Sequence, residues 1–293
     1  MALPADGTDV QPAASEDAAE ARRWVDNEPS GRWFPGIPVA ELWAERELAL
    51  ILALKDLKLR YKQTFFGVAW VLLQPLVAVL IFSLVFGRAA GLPTDGIPYP
   101  VFAYTGLALW FYFTAAVSSA AQCLLDNKEL VAKVYFPRLL APIASMLPGL
   151  VDLAVSLPVI AVFLAIWTVA PGLALLTLPL WVLATVVTAL GAGLLLAGLN
   201  VRYRDVRFVL GFLIQAWLFA TPVVYSISLI KGSWRYLYAL NPMASIVAGF
   251  RWSIAGGPPP GLEVLVSGGV VVVLLAVGFL YFTHVERSFA DVI

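Results

Sequence analysis

The sequence predicts an all-α integral membrane protein with six membrane-spanning helices. Hydrophobic residues make up 61% of the 293 residues and charged residues 13%, and the mean hydropathy is +0.86. Soluble domains average about 45–50% apolar and about 25% charged residues, so this composition excludes a water-soluble domain. It also excludes a disordered chain, which needs low hydrophobicity and high net charge. The net charge is zero and Cys123 is the single cysteine, so neither nucleic-acid binding nor an internal disulfide is expected.

Residues 1–40 are predicted to form a disordered, acidic cytoplasmic leader. The segment stays polar and acidic to about Glu28. It lacks the basic n-region and apolar h-region of a secretory signal peptide, so none is expected.

Residues 41–63 are predicted to form an amphipathic helix ahead of the first span. Apolar side chains recur on one face at helical spacing: Trp43, Leu50, Leu54, Leu57 and Tyr61. Lysines recur at spacings of three and four on another face: Lys55, Lys58 and Lys62. This pattern favours a helix in the headgroup layer of the membrane with its cations near anionic lipid. An ordinary helix packed on protein is the alternative.

Residues 64–293 are predicted to form the transmembrane domain. A bilayer core about 30 Å thick requires roughly 20 apolar residues per helix. Stretches nearly free of charge predict spans at about 66–87, 99–123, 139–169, 173–199, 208–230 and 264–283. The break between the third and fourth spans is the turn signal Pro171-Gly172.

The lysines and arginines indicate the orientation of these spans. With six spans, 15 of the 19 basic residues lie on the side of the two termini. Because short cytoplasmic loops carry the excess of Lys and Arg, both termini are predicted to be cytoplasmic.

Two loops are predicted to have structure of their own. Residues 126–136 begin with Asp126 and Glu129 at capping-box spacing and end before Pro137, which predicts a short cytoplasmic helix. It is either a docking helix for a cytoplasmic partner or a simple connector. Residues 231–261 are too apolar for a solvent loop, so two short helices that re-enter the membrane are predicted. Two helices resting on the outer leaflet are the alternative.

Several kinds of chemistry are absent from the sequence. No Gly-Lys dipeptide occurs, which excludes the phosphate-binding loop of P-loop ATPases. There is no Cys/His cluster, and the single histidine, His284, is placed at the inner end of the last span. Asp152 is the one acid within a predicted span. A packing role within the bundle is favoured for it over proton or sodium coupling, since the sequence places no cation nearby.

Aromatic residues are the candidates for a transport pathway. Consecutive helical residues are about 100° apart, so at most one or two of residues 110–113 can face one side. Rings facing an aqueous channel would offer a surface to the C–H faces of carbohydrate, whereas lipid contact is the alternative for each residue. The candidates are Trp70, Trp110, Tyr112, Trp217 and Tyr225.

Four sequence blocks, in order, resemble one known family. They are residues 56–62 (DLKLRYK) with Gly67, Trp70 and Gln74-Pro75; residues 133–138 (KVYFPR); residues 199–206 (LNVRYRDV); and residues 240–243 (LNPM). Together with the C-terminal residues 285–293, they resemble the membrane (permease) subunit of ABC exporters for polysaccharides, of the O-antigen and teichoic-acid kind.

The resemblance implies a homodimer of this chain with two copies of a separate cytoplasmic P-loop ATPase, which would bind ATP and Mg²⁺. This chain would bind no cofactor. Residues 126–136 would be the coupling helix, with these docking residues: Asp126, Asn127, Lys128, Glu129, Lys133 and Tyr135. Residues 231–261 would form outer gate helices, with these gate residues: Tyr238, Asn241, Pro242, Phe250 and Arg251. A channel between the protomers would pass a polyprenyl-diphosphate-linked glycan.

The expected function is therefore ATP-driven export of a lipid-linked polysaccharide across the bacterial cytoplasmic (inner) membrane, with this chain as a transport subunit rather than an enzyme. Contact with membrane lipids is expected and binding of nucleic acid is not. The alternatives are export of a small drug or lipid by the same architecture and, from another class, a membrane glycosyl- or acyl-transferase.

Overall fold

The computed structural model describes residues 39–62, 69–128, 136–203, 205–230 and 232–286. Regular structure within these residues is helical throughout. The helices are α1 (Val39–Ala44), α2 (Arg46–Lys62), α3 (Ala69–Phe82), α4 (Tyr99–Asp126), α5 (Leu140–Ile166), α6 (Leu178–Arg202), α7 (Val206–Phe219), α8 (Trp234–Tyr238), α9 (Pro242–Ala255) and α10 (Glu263–Glu286). Helix α3 continues as a π-helical segment, Ser83–Ala89, and a 3₁₀ turn, Leu173–Thr177, precedes α6. The predicted leader to residue 38 lies outside the described residues.

Five segments of the described chain are long and apolar enough to cross a membrane. They are Ala69–Ala89, Tyr99–Asp126, Leu140–Ile166, Leu173–Arg202 and Glu263–Glu286. Each overlaps a predicted span and ends within a few residues of the predicted limits. Helices α4 and α6 each have a proline in the first turn. Proline is favoured at a helix start because it leaves no backbone N–H unsatisfied there.

The predicted fifth span, 208–230, is not one continuous helix. Helix α7 ends at Phe219, and residues 220–226 form turns and irregular backbone around Pro222. Since a helix rises 1.5 Å per residue, the 14 residues of α7 cover only about 21 Å. Hydropathy did not reveal this break because the residues on both sides of it are apolar.

Helix α4 lies at the centre of the fold. It packs against α3, α5, α6, α7 and α9, and most of its side chains are buried. On the other side of α6, helix α10 packs closely against it. The close approach depends on Gly191 and Gly278, because a Cβ at Gly278 would overlap the carbonyl oxygen of Gly191.

Helix α2 does not lie flat across the ends of the spans. Its residues Ala49 and Leu52 join the apolar cluster at the start of α5. Its residues Arg60 and Tyr61 bond to Asp152, about three turns further along α5. Helix α2 therefore follows α5 lengthwise, and its predicted place in the headgroup layer stays a prediction. Of the predicted apolar stripe, Leu50 and Leu54 remain exposed, whereas Tyr61 contacts α5.

Replacing Gly278 by alanine should destabilise the protein, because the added methyl group forces α6 and α10 apart. Overpacking of this kind typically costs about 1–3 kcal/mol, which would appear as a lower thermal unfolding temperature in detergent. Gly268→Ala on the same helix is the matched control, since its Cβ meets open space. The control should be neutral or stabilising, and equal behaviour of both variants would show that α6 and α10 tolerate separation.

Candidate functional site

A cavity of about 550 Å³ lies between α2, α3, α4, α5 and α7. Its volume falls within the range typical of ligand pockets, about 300–1,000 Å³. Aromatic and aliphatic side chains form much of its wall, and polar side chains are interspersed among them. The polar and aromatic members of the wall are Arg60, Tyr61, Trp70, Gln74, Phe111, Tyr112, Thr114, Ser118, Asp152 and Ser156.

An ion pair forms part of this wall. The Arg60 guanidinium donates to Oδ2 of Asp152, and the Tyr61 hydroxyl donates to Oδ1 of the same carboxylate. Asp152 therefore has a cation beside it, contrary to the expectation from sequence. The pair also joins α2 to α5, so Asp152 has the predicted packing role and faces the cavity as well.

A second cavity, of about 310 Å³, lies beside α2 toward the end of α4. Arg60 lines both cavities. Lys55 donates to the Asn127 side chain at the end of α4, at 2.5 Å. Nearby, burial raises the pKa of Asp56, and the positive charge of Lys55 opposes that effect. Of the other predicted α2 lysines, Lys58 and Lys62 are exposed.

The predicted docking residues fall partly within the described chain. Asp126 is the last residue of α4, and Asn127 caps that end by donating from its side chain to the carbonyl of Cys123 at 2.9 Å. Lys128 is exposed. Glu129, Lys133 and Tyr135 lie outside the described residues, and so does most of the predicted coupling helix.

Of the five aromatic candidates, two line the larger cavity, one is buried elsewhere in the core and two belong to a second cluster. Trp70 and Tyr112 line the larger cavity. Trp110 is 3% exposed and packs on Phe113, and it is not among the residues of the cavity wall. Trp217 and Tyr225 instead belong to a second cluster beyond the end of α7.

Asn241 anchors this second cluster at the start of α9. Its side-chain oxygen accepts from the Trp217 indole at 2.8 Å and from the backbone N–H of Met243 at 3.2 Å. Its amide donates to the Ala220 carbonyl at 3.0 Å and to the Thr221 hydroxyl at 2.9 Å. Asn241 therefore caps α9 and ties it to the end of α7.

Arg251 holds the other end of α9. It is 5% exposed, and its guanidinium donates to the carbonyls of Phe102 (3.1 Å), Pro222 (3.3 Å) and Val223 (2.7 Å). It also lies over the Phe102 ring, 3.5 Å from the centroid. The buried charge is thus stabilised by backbone carbonyls and an aromatic face.

These contacts place α9 along the first half of α4. Trp217, which bonds to Asn241, packs edge-on against Phe113 near the middle of α4, with centroids 5.0 Å apart. About three turns later on α9, Arg251 bonds to Phe102 near the start of α4. The two helices therefore run antiparallel, and α9 reaches from the start of α4 to its middle.

Three of the five predicted gate residues, Tyr238, Asn241 and Arg251, make hydrogen bonds in this region, and the other two are Phe250 and Pro242. The hydroxyls of Tyr225 and Tyr238 hydrogen-bond to each other. Phe250 is fully buried in the core around α4, and Pro242 occupies the first turn of α9. Tyr99, which the sequence did not single out, donates to the Val224 carbonyl at 2.9 Å. Its acceptor is a backbone atom, so no side-chain pattern could have indicated the contact.

Comparison with known proteins adds an independent finding. Residues 47–255 match the family model described as ABC-2 type transporter. The O-antigen export system permease protein RfbA of Myxococcus xanthus is 30% identical over 257 residues, covering 86% of this chain and 98% of the relative. A protein of the same name from Klebsiella pneumoniae is 25% identical over 84% of this chain and 95% of the relative. The polysialic acid transport protein KpsM of Escherichia coli is 23% identical over 70% of this chain and 80% of the relative.

Proposed function

This chain belongs to the ABC-2 type transporter family of membrane permeases, and from that membership we propose that it exports a lipid-linked polysaccharide across the bacterial inner membrane. The proposal combines four features: an ATPase on a separate subunit, six membrane crossings, a gate at the outer side and a pathway through the larger cavity. The proposed substrate class rests on the permeases named for O-antigen export, which are similar to this chain over nearly their whole length.

The sixth membrane crossing begins with α7. Helix α7 alone is shorter than a bilayer core of about 30 Å, so residues 220–226 complete the crossing. Backbone at that depth is tolerated only where protein satisfies its polar groups. The carbonyls of residues 220, 222, 223 and 224 accept hydrogen bonds from Asn241, Arg251 and Tyr99, which supports this placement. With six crossings, both termini are cytoplasmic.

Helices α8 and α9 form the outer gate as a re-entrant pair. Helix α9 follows only the first half of α4 and is buried on nearly all sides, unlike a helix resting on the outer leaflet. Hydrogen bonds from both of its ends fix its position, and the Ser267 hydroxyl of α10 donates to the Ala239 carbonyl between α8 and α9 at 2.8 Å. Opening the gate requires these hydrogen bonds to break and to be replaced by others.

The cavity is the cargo pathway within one protomer, and a second copy of the chain completes it. Helices α3 and α7 both line the cavity. Both also expose large apolar side chains, among them Trp70, Leu80, Phe208 and Phe212. We place the second protomer against these faces, so that aromatic and polar walls enclose a channel for a polyprenyl-diphosphate-linked glycan of the O-antigen or teichoic-acid kind.

The driving force comes from two ATPase subunits that bind ATP and Mg²⁺ and dock at residues 126–136. The chain has no phosphate-binding loop of its own. Asn127 lies where α4 enters this segment and bonds to Lys55 of α2, whose Arg60 reaches the cavity. Movement of the docking segment is thereby transmitted along α2 as a rigid-body displacement.

The rival functions have less support. A transferase would need reactive acids at the outer surface. The acids Asp95 and Glu263 are instead engaged in loop contacts: Asp95 accepts a hydrogen bond from Ser226, and Glu263 accepts one from the backbone N–H of Gly261. Export of a small drug or lipid would use the same architecture. The substrates in the names of the relatives favour polysaccharide over both.

A strain in which the gene for this chain is deleted tests the proposal. Surface polysaccharide should disappear, its lipid-linked precursor should accumulate inside the cell, and the wild-type gene should restore export only when the ATPase gene is intact. Normal surface polysaccharide in the deletion strain, with altered export of a drug or lipid instead, would contradict the proposed cargo.

A further inference from the structure

The wall of the larger cavity has one strongly polar region, where α2 meets α5. Arg60 and Asp152 form its centre, and both line the cavity. Their charges offset each other, so this region is neutral as a whole. The bond to Asp152 uses one guanidinium N–H of the five that an arginine carries, and a carboxylate oxygen can accept more than one hydrogen bond. The pair therefore offers both donors and acceptors to a ligand.

A buried tyrosine also forms part of this wall. Tyr112 lines the cavity and is 2% exposed. Its hydroxyl has no hydrogen-bond partner among the described residues. Because that oxygen is itself fully buried, a ligand in the cavity does not reach it, and Tyr112 contributes only to the shape of the wall.

The chemistry of this wall fits a sugar better than a phosphate. A diphosphate would bring negative charge next to the Asp152 carboxylate, and like charges at short range in a protein interior repel strongly. A neutral sugar has hydroxyl groups that both donate and accept, which match Asp152 and Arg60. Its C–H faces match the aromatic rings of Trp70 and Phe111 in the same wall.

We propose that Arg60 and Asp152 form a subsite that binds one neutral sugar unit of the cargo during its passage. The subsite rests on the proposed function and adds to it: the protein recognises the glycan itself within the membrane, independently of the lipid diphosphate. Because Arg60 belongs to α2, the sugar contacts the helix that also bonds to Asn127 beside the docking segment.

Binding of the released glycan tests the subsite. The probe is the host strain's own surface polysaccharide, freed from its lipid anchor by mild acid. Its affinity is measured for the full complex of permease and ATPase in lipid nanodiscs. The wild-type complex should bind the probe, and an equal concentration of inorganic diphosphate should not displace it. Tyr112→Phe should bind like the wild type, because the Tyr112 hydroxyl does not reach the cavity.

Arg60→Gln should weaken binding about tenfold or more, since a hydrogen bond from a charged donor is lost. Tyr104→Phe is the matched control, because Tyr104 is a buried tyrosine of the same helix whose ring stacks on Phe163 and which does not line the cavity. It should bind like the wild type. Equal binding by all three variants overturns the subsite, as does displacement of the probe by diphosphate.

The two proposals fail in different ways. A wild-type complex that exports polysaccharide in cells but does not bind the released glycan overturns the subsite and leaves the proposed function standing. A deletion strain that exports polysaccharide normally overturns the proposed function itself.

Discussion

Replacing Arg251 by methionine should abolish export while the chain is still inserted into the membrane. The change removes the donors to three buried carbonyls, at Phe102, Pro222 and Val223. Hydrogen bonds from a charged donor contribute about 1.5–3 kcal/mol each, so the loss amounts to several kcal/mol even if the bonds are not additive. Surface polysaccharide and the thermal unfolding temperature of the purified chain measure the effect.

Arg235→Met is the matched control for this prediction. Arg235 is another arginine of the 231–261 segment, but its side chain makes one hydrogen bond to the described residues, from Nε to the Ile230 carbonyl at 2.8 Å, and is not buried. Its replacement should leave export near the wild-type level. Wild-type export and stability in Arg251→Met would show that residues 220–226 need no internal donor, and the placement of the sixth crossing would be wrong.

Replacing Asp152 by alanine should reduce export at least tenfold and destabilise the chain. The change removes both hydrogen bonds that join α2 to α5 and leaves the Arg60 guanidinium without its carboxylate. The side chain of Arg60 is 33% exposed, so we expect a cost near the lower end of about 1.5–3 kcal/mol. Thermal unfolding in detergent measures the stability, and surface polysaccharide measures export.

A double variant separates the two roles of this pair. Replacing an ion pair by apolar residues of similar size is often neutral for stability, whereas removing one partner is not. Arg60→Met combined with Asp152→Leu should therefore recover most of the stability lost in Asp152→Ala. Export should stay low, because the sugar subsite is absent. Full recovery of export in the double variant would show that the Arg60–Asp152 pair has only a structural role.

Long charge-free stretches predicted five of the membrane spans closely. Their limits follow from composition alone, because a helix in lipid satisfies its own backbone and only its length and apolarity matter. The predicted span 208–230 differs because apolarity does not distinguish a continuous helix from buried irregular backbone. The signals for the break were Pro222 and the capping residue Asn241, which lie apart in sequence and act together only in the fold.

The polar contacts of the site were harder to predict. Asp152 was expected to lack a cation because none lies near it in the sequence, whereas in the fold α2 runs alongside α5 and brings Arg60 to it. Arg251 was placed at the gate by resemblance, but its burial depends on backbone carbonyls as acceptors. Backbone acceptors occur at every residue, so side-chain patterns carry no information about which of them a buried arginine will use.

Transport by purified components tests the central claim most directly. The chain is reconstituted in proteoliposomes with the lipid-linked polysaccharide of its host, with and without its ATPase subunit. The glycan should cross the membrane only when the ATPase subunit, ATP and Mg²⁺ are all present on the same side. Movement of the glycan by the chain alone on an ion gradient would contradict the account, and so would its retention by the complete complex in the presence of ATP.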